Sequence, residues 1–103
     1  MESTIRMHAT LIGDLTQVQA LVRHPMASGF GKDASDAPIP AHYIETLTFE
    51  YKGKIVFVAD WGPMISKDPY VKFSFAGGEK GRQIKASWTD NKGMTDSTTE
   101  EIQ

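Results

Sequence analysis

The chain has 103 residues, a formal net charge of −2 and no cysteine. That length predicts one domain able to bury a core without disulfides or metals. Its scattered Lys and Arg exclude the clustered basic footprint of a nucleic-acid binder, and the missing cysteine excludes a disulfide, a thiolate nucleophile and any Cys-ligated zinc or iron–sulfur site.

Period-2 alternation runs through the chain and predicts strands. Ile5, Met7, Ala9 and Leu11 share one face, with Arg6, His8 and Thr10 on the other. Gly13-Asp14 turns the chain, and Val18, Ala20 and Val22 then alternate with Gln17, Gln19 and Arg23. Leu15, Val18, Leu21 and Val22 also fall at helical spacing, but the alternation with Gln and the β-branched residues favour a strand. A long Gly/Pro-rich polar insert follows, from Val22 to Ile44. Loops of this length in a small domain carry function or disorder.

Leu47, Phe49 and Tyr51 alternate with Thr46, Thr48 and Glu50, and Lys52-Gly53 predicts a hairpin turn. Ile55 to Ala59 is apolar on both faces, which calls for cover by loops over a central strand or by a partner. Trp61-Gly62-Pro63 and Asp68-Pro69 break the ladder before Val71, Phe73 and Phe75. Gly77 to Gly81 is expected to be a hairpin loop, leading to Ile84, Ala86 and Trp88 on a core face. Asp90-Asn91-Lys92-Gly93 is the strongest turn signal, and a polar strand runs from about Met94 to Ile102. About seven short strands at these spacings predict an all-β antiparallel sandwich.

The chemistry-bearing residues form no decisive motif. His24, Met26 and His42 offer imidazole and thioether donors of the kind copper takes, but their spacing is not diagnostic, and surface loop histidines are the simpler expectation. His8 belongs on a solvated face. Ser28, His24 and Asp33 lie close in sequence, yet a triad is defined by geometry and no Gly-x-Ser-x-Gly elbow is present. Glu100-Glu101 is expected to be solvated, and the Gly77 turn lacks the strand–loop–helix context of a phosphate loop. Trp88 is expected in the core. Trp61 fits either an interface or a cap on one end of the core, and Met64 and Ile65 add apolar surface that something should cover. Met1 to Arg6 shows no basic or apolar leader, and the longest apolar run is far too short to span a bilayer. Alone, these features lead to the expectation of a soluble cytoplasmic protein.

Four blocks in order, HPMASGFGKD (His24 to Asp33), IPAHYIETLT (Ile39 to Thr48), WGPMISKDPYVKFSF (Trp61 to Phe75) and SWTDNKGMT (Ser87 to Thr95), resemble the SoxZ family. SoxZ is the smaller subunit of the SoxYZ carrier of bacterial thiosulfate oxidation. The resemblance implies an immunoglobulin-like β-sandwich that performs no catalysis and needs no cofactor. It implies a SoxY-like partner whose C-terminal cysteine arm holds the sulfur intermediates, with the Sox pathway enzymes as partners of the pair. It also implies a periplasmic location, reached by export with the signal-bearing partner. Two departures are mild: the last strand is unusually polar, and Met64-Ile65 is bulky.

On this reading Val56, Val58, Trp61, Met64 and Ile65 are partner-interface candidates, chosen for apolar excess over the needs of the core. An obligate pair calls for an interface of roughly 1,500 Å² or more in total. His24, Met26, Lys32, Asp33 and His42 are docking-loop candidates, and the isolated chain is expected to be capable of forming a homodimer. The alternatives are a periplasmic metal-binding sandwich using His24, Met26 and His42, and a free-standing interaction domain pairing through its Thr-rich last strand.

Overall fold

The computed structural model describes residues 3–32 and 34–103. Its seven strands are β1 (Ile5–Ile12), β2 (Leu15–Val22), β3 (Ile44–Tyr51), β4 (Lys54–Asp60), β5 (Tyr70–Ala76), β6 (Gln83–Asp90) and β7 (Thr95–Glu101). They form a three-stranded sheet, β1-β2-β5, and a four-stranded sheet, β4-β3-β6-β7, in which every neighbouring pair is antiparallel. This is the all-β sandwich the alternation predicts. The segment that could also be read as helical is the strand β2.

Alternation decides what lies between the sheets. Ile5, Ala9, Val18, Ala20 and Val22 point inward from one sheet, and Ile44, Leu47, Phe49, Ile84, Ala86 and Trp88 from the other. Phe73 of β5 meets Phe49 edge-on with ring centroids 4.8 Å apart and stacks on Phe57 of β4 at 4.4 Å. Aromatic contacts of this geometry add about 0.5–1.5 kcal/mol beyond area burial. They join the two sheets on the side where β4 and β5 are both edge strands.

The other side is closed by residues 102–103. Gln103 N–H donates to Ala9 O at 2.9 Å, and Leu11 N–H donates to Gln103 O at 3.0 Å, in a parallel bridge beside β1. Near the start of β1, Asp96 of β7 accepts hydrogen bonds from Thr4 N–H and the Thr4 hydroxyl, each at 2.7 Å, and from the Ser3 hydroxyl.

Two expectations are corrected. Ile55–Ala59 is not a covered central strand, because β4 is the edge of its sheet. The register slips between Phe49 and Glu50, so that Phe57 opposes Phe49 while Ile55 opposes Glu50. Val56 is the extra residue of this bulge and packs against the core beside Phe57, which leaves Ile55 and Val58 outside. The doubly apolar run therefore has a local cause. The Gly77–Gly81 turn is not a hairpin loop: it carries the chain from β5 in one sheet to β6 in the other. The true hairpin at Lys52-Gly53 has positive φ at both residues, 51° and 76°, as such two-residue turns require.

Candidate functional site

The antiparallel registers gather three connections at one end of the sandwich: the long loop 23–43 between β2 and β3, the 61–69 connection between β4 and β5, and the 91–94 turn between β6 and β7. The long loop is partly ordered by its own pairing. Ala27 and His42 exchange two backbone hydrogen bonds of 2.7 and 2.8 Å, and an isolated bridge joins Lys32 to Pro38 nearer its tip. Gly29 has a φ of +90°, and a Cβ there would press on Ala41, so close approach of the two legs needs glycine.

The base of the loop is fastened through a buried carboxylate. His24 Nε2 lies 3.2 Å and His42 Nε2 2.7 Å from the same oxygen, Oδ2, of Asp90. The Asp90 and His24 side chains are almost fully enclosed, and that of His42 is 22% exposed. The second oxygen of Asp90 accepts N–H groups from Lys92 at 3.0 Å and Met94 at 2.9 Å. Burial is the largest single influence on Asp90 and opposes its charge. Hydrogen bonds from His24, Met94 N–H, His42 and Lys92 N–H outweigh it and hold the carboxyl below the usual carboxylate range.

The rest of the base is equally occupied. Met26 N–H donates to His24 Nδ1 at 3.1 Å, which places the proton of neutral His24 on Nε2, facing Asp90. Ile44 N–H is directed at Met26 Sδ at 3.3 Å. His24 and Asp68 exchange hydrogen bonds, His24 N–H to Asp68 Oδ1 at 3.0 Å and Asp68 N–H to His24 O at 3.1 Å. Asn91 holds the outgoing leg at Tyr43 N–H and Ala41 O. The His24 ring stands edge-on to Trp88 at 5.1 Å, and Trp88 Nε1–H donates to Thr4 Oγ1 at 2.9 Å.

His24, His42 and Asp90 present donor atoms within 4.8 Å of one another. A cation held through His24 Nε2 needs the ring proton on Nδ1, where it meets the Met26 N–H head on. With the Met26 sulfur also engaged, the cluster is built as a hydrogen-bonded latch rather than as an open ligand set.

The structure brings His24, Met26 and His42 together, with His24 and Met26 buried. His24 is not the surface loop histidine that the sequence suggested, and with Met26 it supports the loop from within. Lys32 is exposed and pairs with Asp36 at 3.6 Å; Asp33 lies outside the described residues. Trp61 is half-buried against the core, and Ile65 packs beside it, while Met64 is 85% exposed. Val58 is exposed and Val56 half-buried, both on the edge strand β4. Ser28 Oγ accepts the Phe30 N–H and has no role in a triad with His24, whose ring nitrogens are taken up by Met26 and Asp90.

Asp90 is a site residue that the turn chemistry of Asp90–Gly93 conceals; extending the inward series Ile84, Ala86, Trp88 by one step reaches it. Phe30, 85% exposed, and Met94 add apolar surface at the same end; an aromatic in a polar loop is the sequence signal for the first.

Comparison with curated proteins returned no match. Among solved structures, a superoxide reductase (neelaredoxin) from Ignicoccus hospitalis superposes with a TM-score of 0.62 at 19% identity, covering 97% of this chain and 79% of that one. At that identity the likeness is one of fold. The family model described as sulphur oxidation protein SoxZ matches residues 5–101. Spanning all seven strands described above, that match shows that the chain belongs to the SoxZ family.

Proposed function

We propose that this chain is the non-catalytic scaffold subunit of a heterodimeric SoxYZ sulfur carrier, supporting the cysteine arm of its partner during thiosulfate oxidation. The observation that carries this reading is the family match over residues 5–101 in a chain with no cysteine. A carrier holds sulfur on a thiolate, and these residues supply none. The His24 and His42 imidazoles are spent on holding a loop. What the domain offers is a rigid frame and surface.

The partner interface on this reading draws on Trp61, Met64 and Ile65 beside the long loop and on Val56 and Val58 of the β4 edge. The loop tip, including Lys32, is a docking surface for the enzymes that load, oxidise and hydrolyse the bound sulfur. The pair works in the periplasm, exported on the partner's signal.

The test is co-expression with a SoxY-like subunit bearing a C-terminal cysteine arm, followed by co-purification and mass spectrometry of the arm after exposure to the loading enzymes. The expected result is a stable pair whose partner cysteine gains sulfur adducts only when this chain is present. Equal loading of the partner alone sinks the scaffold role. Hydrogen exchange maps the interface: if Val56, Val58, Trp61, Met64 and Ile65 are equally protected with and without the partner, the interface lies elsewhere.

A further inference from the structure

The outer face of the three-stranded sheet differs in kind from the rest of the surface. The register aligns its outward side chains in rows across β1, β2 and β5: Arg6, Leu21 and Tyr70 in the first, His8, Gln19 and Lys72 in the second. The two remaining rows hold only Thr, Gln, Ser, Ile, Leu and Ala. No Asp or Glu stands on any of them, although the chain has more acids than bases, 13 against 11. The acids next to this face in sequence are Asp14, in the β1–β2 turn, and Asp68, before β5, which accepts the His24 N–H. The outer face of the four-stranded sheet, by contrast, carries Glu45, Glu50, Asp60 and Glu101.

Arg6 and Lys72 make no ion pair among the described residues. On the Arg6 side the sheet is dished into a shallow depression of about 200 Å³, lined by Arg6, His8, Gln19, Leu21 and Tyr70. Tyr70 is 58% exposed. Arg and Tyr are the residue types that dominate binding at interfaces, and Asp and Glu are those depleted there. Three strands at about 4.8 Å spacing and about 3.3 Å per residue make a face of roughly 25 by 15 Å. That is well below the roughly 800 Å² per partner of a stable complex, and it suits a transient encounter.

We propose that the outer face of β1-β2-β5 is a transient docking surface for an acidic protein surface, with Arg6 and Lys72 supplying charge complementarity and Tyr70 with Leu21 the apolar contact. The choice of visiting protein rests on the carrier reading: an enzyme acting on the bound sulfur must bind and leave repeatedly, which requires a small, charge-steered face distinct from the one that holds the permanent partner.

The test uses the intact carrier pair, immobilised, with each purified enzyme of the sulfur-oxidation system as analyte at low and at high ionic strength. Pair formation is measured first for every variant. The Arg6→Glu, Lys72→Glu double variant is expected to form the pair normally and to slow association of at least one enzyme by about tenfold or more at low salt, with the salt dependence largely abolished. Tyr70→Ala is expected to raise Kd about fivefold or more with little change in association rate. Lys85→Glu, on the opposite sheet, should leave both unchanged. Wild-type binding by the double variant to every enzyme, or equal losses in Lys85→Glu, overturns the proposal. If the wild-type pair fails to form at all, it is the carrier reading that falls. The same variants of the isolated chain, tested against the same enzymes, then decide the docking face on its own.

Discussion

His42 closes onto Asp90 at 2.7 Å from the far leg of a loop whose near leg reaches the same carboxylate oxygen through His24. One buried acid thus receives both ends of the longest connection in the chain and, through its other oxygen, the turn between β6 and β7.

Removing that acid should release the loop. Asp90→Ala leaves two ring N–H groups and two backbone N–H groups without their acceptor, and a loss on the order of 3 kcal/mol follows. Denaturant titration should show it, and hydrogen exchange should rise at Ala27 and His42 while β2 and β3 stay protected. A variant with wild-type stability and unchanged exchange at these amides contradicts the latch.

Acid should act through two carboxylates. Asp90 is held below the usual range for the reasons given above. Asp96 is as well: burial opposes its charge, and hydrogen bonds from the Thr4 hydroxyl and N–H, the Ser3 hydroxyl and Ser97 N–H outweigh burial. A group depressed in the folded state contributes stability that is complete above its unfolded pKa, about 3.9 for Asp, and lost as pH falls through the folded value. The melting temperature is therefore expected to drop below about pH 4, and less steeply in an Asp90→Asn, Asp96→Asn double variant. Parallel pH profiles for the two proteins are the adverse result. Glu79 is also depressed, first by its hydrogen bond from Lys52, but it is an exposed pair and should contribute little.

Metal titration separates the latch from a ligand set. Calorimetry with Zn(II), Cu(II) and Cu(I) is expected to show no sub-micromolar site, because Met26 N–H occupies His24 Nδ1. Tight binding that disappears in His24→Ala requires the loop base to rearrange and restores the metal-binding alternative.

Gly78 and Gly53 make a paired test of local geometry. Gly78 has a φ of +99°, and a Cβ there runs into Thr16 Oγ1, itself buried and donating to Gly77 O at 2.7 Å. Gly53 has a φ of +76° with open space around it. Gly53→Ala should cost roughly 1 kcal/mol from the backbone alone. Gly78→Ala should cost clearly more, about 2–4 kcal/mol, with the added clash. Equal effects in thermal melts count against the close approach at Thr16.

The strands were legible because alternation is local and the core needs it. Val18, Ala20 and Val22 could be placed inward from their own spacing. What was not legible depends on partners distant in sequence. The Gly77–Gly81 turn has chemistry that serves a hairpin or a crossing between sheets equally well. The bulge at Val56 arises from how β4 meets β3, and nothing in Ile55 to Ala59 alone marks it. Asp90 has the composition of a turn residue, and only the long loop folding back makes it the anchor of two histidines. The family blocks pointed to the right part of the chain without revealing that His24 and Met26 face inward.

The contacts that finish this domain join residues far apart in the chain: Asp90 to His24, 66 positions away, and Asp96 to Thr4, 92 positions away. Closing such separations has an entropic cost that nearer contacts do not share, and chains rich in them fold slowly. β1 in particular stays without its last neighbour until β7 and residues 102–103 have been synthesised. Until β7 and residues 102–103 are in place, β1 presents an open edge that another strand can occupy.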